Sequence, residues 1–270
     1  MIKKYLKRFL IRLPLAYELL LRVANKPFDE LYLARKLIRN GNIVFDIGAN
    51  VGQFTILFSV LVGKHGVVHA FEPVNATYHK LIQNIKSWRL KGNIMASQVA
   101  LSDRNSEGMI YTPIGDLTQS SLIQHSDSSS WVQGLIKEQI NDQKVKLMTI
   151  DRYMEENLLK RVDYIKCDVE GSEYAVIRGA TKLLSSNYRP IILLEYFPAW
   201  ARDFGYGAED LFSYLNSVGS YSVFHIQGKM LKRITDFSAE MPGVFPNSLN
   251  YLCLPPQIDL DLLRSLGLKE

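Results

Sequence analysis

The chain predicts an α/β fold: a doubly wound, mostly parallel sheet with helices on both faces. Three observations carry this. Short apolar runs rich in Val and Ile recur from Asn42 to Leu254 and alternate with longer amphipathic stretches. Several runs are apolar on nearly every residue, as strands buried on both faces require. Acidic residues close these runs, at Asp46, Glu72 and Asp168, with a glycine or proline just beyond. In such a sheet, ligands bind beyond the carboxyl ends of the strands.

In order, Met1–Val23 is basic and apolar. Leu6, Phe9, Leu10 and Leu13 recur at helical spacing, with Lys3, Lys4, Lys7, Arg8 and Arg12 between them. No apolar run there is long enough to span a bilayer, and charges interrupt any signal-peptide core. A basic amphipathic helix suits either an anionic membrane surface, a partner, or packing on its own domain. Phe28–Arg39 predicts a second helix, which Gly41 is placed to end. Residues 1–40 hold ten Lys/Arg against three Asp/Glu, and the remaining residues hold 22 against 24. The basic character therefore belongs to an N-terminal helical extension. The acidic balance of the rest argues against nucleic acid as a partner.

The predicted strands are Ile43–Ile47, Val67–Phe71, Ile94–Leu101, Val162–Cys167, Ile191–Tyr196, Tyr221–Ile226 and Asn250–Leu254. Helices are predicted at Gln53–Val62, Ala76–Leu90, Glu173–Ser185 and Ala208–Val218. The main domain covers 41–256, with a hairpin and lid insertion at about 104–150 and a tail over 257–270. In the insertion, Gly108–Pro113 and Val145–Ile150 predict a hairpin. Thr118–Ser130, with Ser120, Ser121, His125 and Asp127, predicts a polar lid above the sheet. Ala199–Ala208, with Trp200, Phe204 and Tyr206, predicts a second wall of the site. Cys167 and Cys253 lie far apart and predict buried free thiols in a reducing, cytoplasmic compartment.

The turn after the first strand, Asp46-Ile-Gly48-Ala-Asn50-Val-Gly52, precedes a predicted helix. Its glycines let the backbone approach a ligand, and the helix offers free N–H groups. The spacing is not the dinucleotide Gly-x-Gly-x-x-Gly, and no Lys-Ser or Lys-Thr pair makes it a phosphate loop. An acidic strand end suits a cationic ligand part such as an α-amino group. Glu72, twenty positions past Gly52, is placed to bind ribose hydroxyls, followed by Pro73. Ala100, Leu101 and Asp168 end the neighbouring strands, and Asp168 suits an amino group. His125, Glu170 and Lys166 are the catalytic candidates. Glu170 is also placed to cap the helix near Ser172, and Lys166 to pair with Glu170.

Phe45-Asp-Ile-Gly-Ala-Asn-Val-Gly52, Phe71-Glu-Pro73, Val99-Ala-Leu-Ser-Asp103, Ser120-Ser-Leu122, Thr149-Ile-Asp151 and Lys166-Cys-Asp-Val-Glu-Gly171 together resemble the FkbM family of S-adenosylmethionine-dependent methyltransferases. The resemblance runs from about Asn42 to about Glu195. It implies a class I methyltransferase (Rossmann-like) fold with a seven-stranded sheet whose last strand is antiparallel. It also implies S-adenosyl-L-methionine as cofactor, and a sugar, polyketide or other metabolite as acceptor. The expected reaction is O-methylation of a hydroxyl on a sugar, glycan or small metabolite. RNA or protein methylation and a cofactor-binding scaffold with little turnover are the alternatives. Asp168-x-Glu170 offers two oxygen ligands to a hard cation such as Mg²⁺. The following strand ends in Glu195-Tyr196 rather than an Asp-Asn pair, so metal-independent transfer is the adopted expectation.

Overall fold

The computed structural model describes residues 28–88, 93–113, 120–123, 140–227, 230–237 and 249–258. The expected basic helix of Met1–Val23, His125 and most of the expected lid lie outside the described residues.

The chain enters through helix α1 (Phe28–Leu37), then alternates β1 (Ile43–Ile47), α2 (Gln53–Val62), β2 (Val67–Phe71), α3 (Asn75–Ser87) and β3 (Ile94–Ser97). A small unit follows: β4 (Ala100–Leu101), β5 (Ser106–Pro113) and β6 (Ile140–Met148). Helix α4 (Ile150–Glu156) leads to β7 (Tyr164–Cys167), and α5 (Glu173–Arg178) and α6 (Thr181–Ser185) lead to β8 (Ile191–Tyr196). Helices α7 (Pro198–Asp203) and α8 (Ala208–Gly219) precede β9 (Ser222–Gln227), β10 (Met230–Ile234) and β11 (Leu249–Leu254).

The main sheet has eight strands in the order β10-β9-β11-β8-β7-β1-β2-β3. β11 runs antiparallel between β8 and β9, as expected of the last strand. The expected count of seven is corrected by β10, a hairpin partner of β9 on the sheet edge. The expected third strand, Ile94–Leu101, is also corrected. Only Ile94–Ser97 pairs with β2, while Ala100 and Leu101 form β4 beside β6 in a separate three-stranded sheet. The helix expected over Glu173–Ser185 breaks at Gly179, where a side chain would stand 2.0 Å from the Ser102 carbonyl oxygen.

Strand periodicity sorts the central residues onto two faces. Phe45, Ile47, Ile165, Cys167, Ile192 and Leu194 are fully buried in a core shared with Tyr153, Val176, Leu184 and Phe212. Val44, Tyr164 and Leu193 face the other way and pack with Leu31, Ala34, Ile56 and Phe58. Helix α1 is thus part of this second core, and the boundary expected at residue 40 falls inside a packed unit. Asp46 and Lys166 stand opposite each other in the β1–β7 register and share the parity of Val44 and Tyr164. Both therefore belong to the α2 face, at the carboxyl end of the sheet. Cys167 and Cys253 are buried free thiols, as expected. Among the described residues, no helix is long and apolar enough to cross a membrane.

Candidate active site

The strand order reverses between β1 and β7, and there a cleft of about 600 Å³ opens. That is the usual size and place of a small-molecule site in an open α/β sheet. Asp46, Gly48, Asn50, Glu72, Pro73, Ala100, Leu101, Lys166, Asp168 and Glu170 all line it. Ten of the residues expected from sequence therefore meet in one place. Gly52 sits just behind, starting α2 with φ 89°. Ala100 and Leu101 reach the cleft from the small sheet rather than from a strand of the main one.

The turn after β1 is tied down on both sides. Gly48 and Ala49 donate to the Phe71 carbonyl at 3.1 and 2.9 Å. Asn50 adopts φ 50° and donates its N–H to Glu72 Oε2 at 2.9 Å. Glu72 Oε1 accepts from the Val74 N–H at 2.9 Å. Glu72 thus clamps the glycine turn to the end of β2. Each carboxylate oxygen retains a second acceptor direction for a ligand hydroxyl. Burial pushes the Glu72 carboxyl up to about 7, against the pull of these two amides.

Asp46 is 1% exposed. Thr55 Oγ1, on α2, donates to its Oδ2 at 2.5 Å. Its Oδ1 is buried with no hydrogen-bond partner among the described residues. Burial raises its carboxyl pKa, and the Lys166 ammonium opposes the rise. Lys166 Nζ makes its ion pair with Asp168 Oδ2 at 2.7 Å and lies 4.8 Å from the centre of the Phe54 ring. That corrects the expected pairing with Glu170. Burial works to discharge Lys166, but Asp168, Glu30, Asp46 and Glu195 outweigh it and hold the ammonium charged. In this geometry Lys166 fixes Asp168 and sets its charge among these carboxylates.

Glu170 stands in the left-handed region, φ 55°, followed by Gly171 at φ 103°. Burial, then the charges of Asp168, Glu195 and Glu173, push its carboxyl well above the ordinary carboxylate range. The turn before α5 is tied down by Glu173, the first residue of that helix and not among the expected site residues. Glu173 Oε1 accepts from the Val169 and Gly171 N–H groups at 3.2 and 3.1 Å. Tyr206 Oη lies 2.9 Å from the Gly171 carbonyl and 3.0 Å from Glu173 Oε2. The expected second wall over Ala199–Ala208 is corrected as well. Trp200 and Phe204 pack against Gly171 from behind, with a side chain there meeting them at 3.0 Å, and neither lines the cleft. A carboxylate in the first turn of a helix was the available signal for Glu173.

Glu173 carries a pH prediction. Burial pushes its carboxyl up to about 7 from 4.5. The folded state then holds its proton more tightly than the unfolded chain. Stability is fully present below about pH 4.5 and is lost as pH rises toward about 7. Glu173→Gln retains the Oε1 acceptor and mimics the protonated form. It is expected to match the parent in stability near pH 4.5. Above pH 7 it should exceed the parent by up to about 3 kcal/mol. Urea unfolding of both proteins across pH measures this, and a pH-independent difference refutes it.

Among the described residues, no group of three or more His, Cys, Asp and Glu is arranged to hold a metal ion. His69, on β2, is buried, with Nδ1 2.9 Å from Tyr153 Oη.

The model of the methyltransferase FkbM domain matches residues 46–221. The chain belongs to the FkbM methyltransferase family. It is 40% identical over 76 residues to the 31-O-demethyl-FK506 methyltransferase FkbM of Streptomyces tacrolimicus, covering 28% of each chain. It is 25% identical over 147 residues to Methyltransferase 1 of Beauveria bassiana, covering 51% of this chain and 58% of that one. The chain thus spans about a quarter to somewhat over half the length of these curated relatives. The crystal structure of an FkbM methyltransferase from Methylobacillus flagellatus covers 84% of this chain and 48% of its own, at 16% identity and a TM-score of 0.50. The fold is that of the class I methyltransferases, and S-adenosyl-L-methionine is the cofactor of the family. The cleft fits that cofactor on its own chemistry. Asp46 Oδ1 is a buried acceptor awaiting a donor, Glu72 has acceptor directions for a diol, and α2 begins at Gly52 without a side-chain cap.

Proposed function

We propose that this FkbM-family chain transfers the methyl group of S-adenosyl-L-methionine to a hydroxyl of a sugar, glycan or other small metabolite, with Glu170 as proton acceptor. The observation that carries this is the placement of Glu170. It lines the same cleft as Asp46 and Glu72, but on the far side of the β1–β7 reversal. The O-directed name of the Streptomyces relative supports the same direction.

Asp46 and Asp168 would hold the cofactor's amino group, Glu72 its ribose hydroxyls, and the amides at the start of α2 its carboxylate. When bound, the sulfonium supplies an electrophilic methyl group and leaves as a neutral thioether. Glu170 accepts the hydroxyl proton as the oxygen forms its bond to carbon. A carboxyl raised above the ordinary carboxylate range is a stronger proton acceptor than an exposed one. Holding the acceptor oxygen in line can supply roughly 7–11 kcal/mol. Ser120, Leu122 and Ile110, from the insertion, also line the cleft and would meet the acceptor there.

The test has two parts. Calorimetry with S-adenosylhomocysteine should show binding, weakened about ten- to hundredfold in Asp46→Asn through loss of a charged hydrogen bond. Labelled donor with a panel of hydroxylated glycans and metabolites should yield an alkali-stable methyl ether. Donor binding with no methylated product from any acceptor would favour the scaffold alternative. Label on nitrogen would overturn the O-directed reading.

A further inference from the structure

The Glu170–Gly171 turn is unusual in holding two consecutive left-handed residues, the first of them not glycine. Such a conformation is strained and persists only where the surroundings over-determine it. Glu173 and Tyr206 hold the turn from the α5 and α7 side, through the Val169 and Gly171 amides and the Gly171 carbonyl. The opposite side is held from far along the chain. Ser121 Oγ donates to the Glu170 carbonyl at 2.9 Å, across 49 residues.

Ser121 is itself fixed. It is 2% exposed, and it exchanges both backbone hydrogen bonds with Tyr111 on the outer edge of β5, at 2.8 and 3.0 Å. Next to it, Ser120 Oγ lies 3.0 Å from Thr112 Oγ1 and Ser120 lines the cleft. The main chain of Ser121 therefore belongs to the hairpin, while its hydroxyl belongs to the turn that carries Glu170.

We propose that Ser121 is a positioning residue, whose hydroxyl straps the hairpin insertion to the Glu170 turn and so aims the Glu170 carboxyl at the acceptor. This rests on the reading of Glu170 as proton acceptor. The strap itself can be measured without an acceptor. Seating of Ser121 on β5 and alignment of the Glu170 turn are thereby coupled.

Ser121→Ala removes the hydroxyl and Ser121→Thr retains it. Hydrogen exchange on the protein without ligand should show amides of residues 169–173 exchanging at least about tenfold faster in Ser121→Ala, and near parental rates in Ser121→Thr. With an acceptor, Ser121→Ala should lower kcat about ten- to hundredfold, the scale of a small misplacement, with S-adenosylhomocysteine affinity unchanged. In a Glu170→Gln background, Ser121→Ala should cause no further loss, because the two act as a unit. Unchanged exchange in Ser121→Ala overturns the strap. Losses that multiply in the double variant overturn positioning through Glu170 and mark Ser121 as acting separately. Faster exchange together with a fully active Glu170→Gln would support the strap and sink the base assignment alone.

Discussion

Glu170→Gln is expected to lower kcat by about 10²–10⁴-fold while leaving S-adenosylhomocysteine affinity nearly unchanged. The substitution keeps the size of the side chain and removes its capacity to hold a proton. The cofactor contacts proposed for Asp46, Glu72 and the α2 amides are untouched. In the parent, the rate should rise with pH as Glu170 loses its proton. That limb should lie above the ordinary carboxylate range, because burial and the neighbouring acids raise its pKa. In Glu170→Gln the limb should vanish. Steady-state kinetics over pH, with His125→Ala in parallel, measures both effects. A fully active Glu170→Gln beside an inactive, donor-binding His125→Ala would move the base to the lid.

Gly48→Ala is expected to destabilise the protein by about 2–5 kcal/mol and to remove cofactor binding with it. Gly48 has φ 76°, where an L side chain is strained. An added Cβ would stand 1.8 Å from the Asp168 carbonyl oxygen and 2.9 Å from its carbon. These are backbone atoms of the neighbouring strand end and cannot swing away. Relief requires β1 and β7 to part at the switch point, which separates Asp46 from Asp168. Urea unfolding should show the loss of stability, and calorimetry the loss of binding. Parental values in both would mean that the strand ends do not approach as closely as the structure shows.

Residues with local signatures were legible from the chain. Helix α2 spans Gln53–Val62 as predicted, because a glycine turn and a continuous apolar stretch mark both its ends. Asp46, Glu72 and Asp168 meet as expected, because parallel strands bring their carboxyl ends to one side of the sheet. Ala100 and Leu101 fall within one predicted apolar run with Ile94–Ser97, since nothing in their composition marks where pairing passes from β2 to β6. Glu173 carries only the general signal of a carboxylate at a helix start, and its contact with Tyr206, 33 residues away, is visible only in the fold.

By itself, then, the sequence determined the sheet class, the donor motif, the family resemblance and the group of acids around the cleft. These depend on period-two burial, glycine turns and strand ends, all written over short spans. Only the tertiary structure decided which acid does what. Lys166 pairs with Asp168 rather than Glu170, Glu72 clamps Asn50, and Ser121 reaches the Glu170 carbonyl. Partner choice among buried charges and hydroxyls follows distances of a few ångströms, whether the partners are two residues apart, as Lys166 and Asp168, or 49, as Ser121 and Glu170. Burial then raises the carboxyls of Glu72, Glu170 and Glu173 by withdrawing them from water.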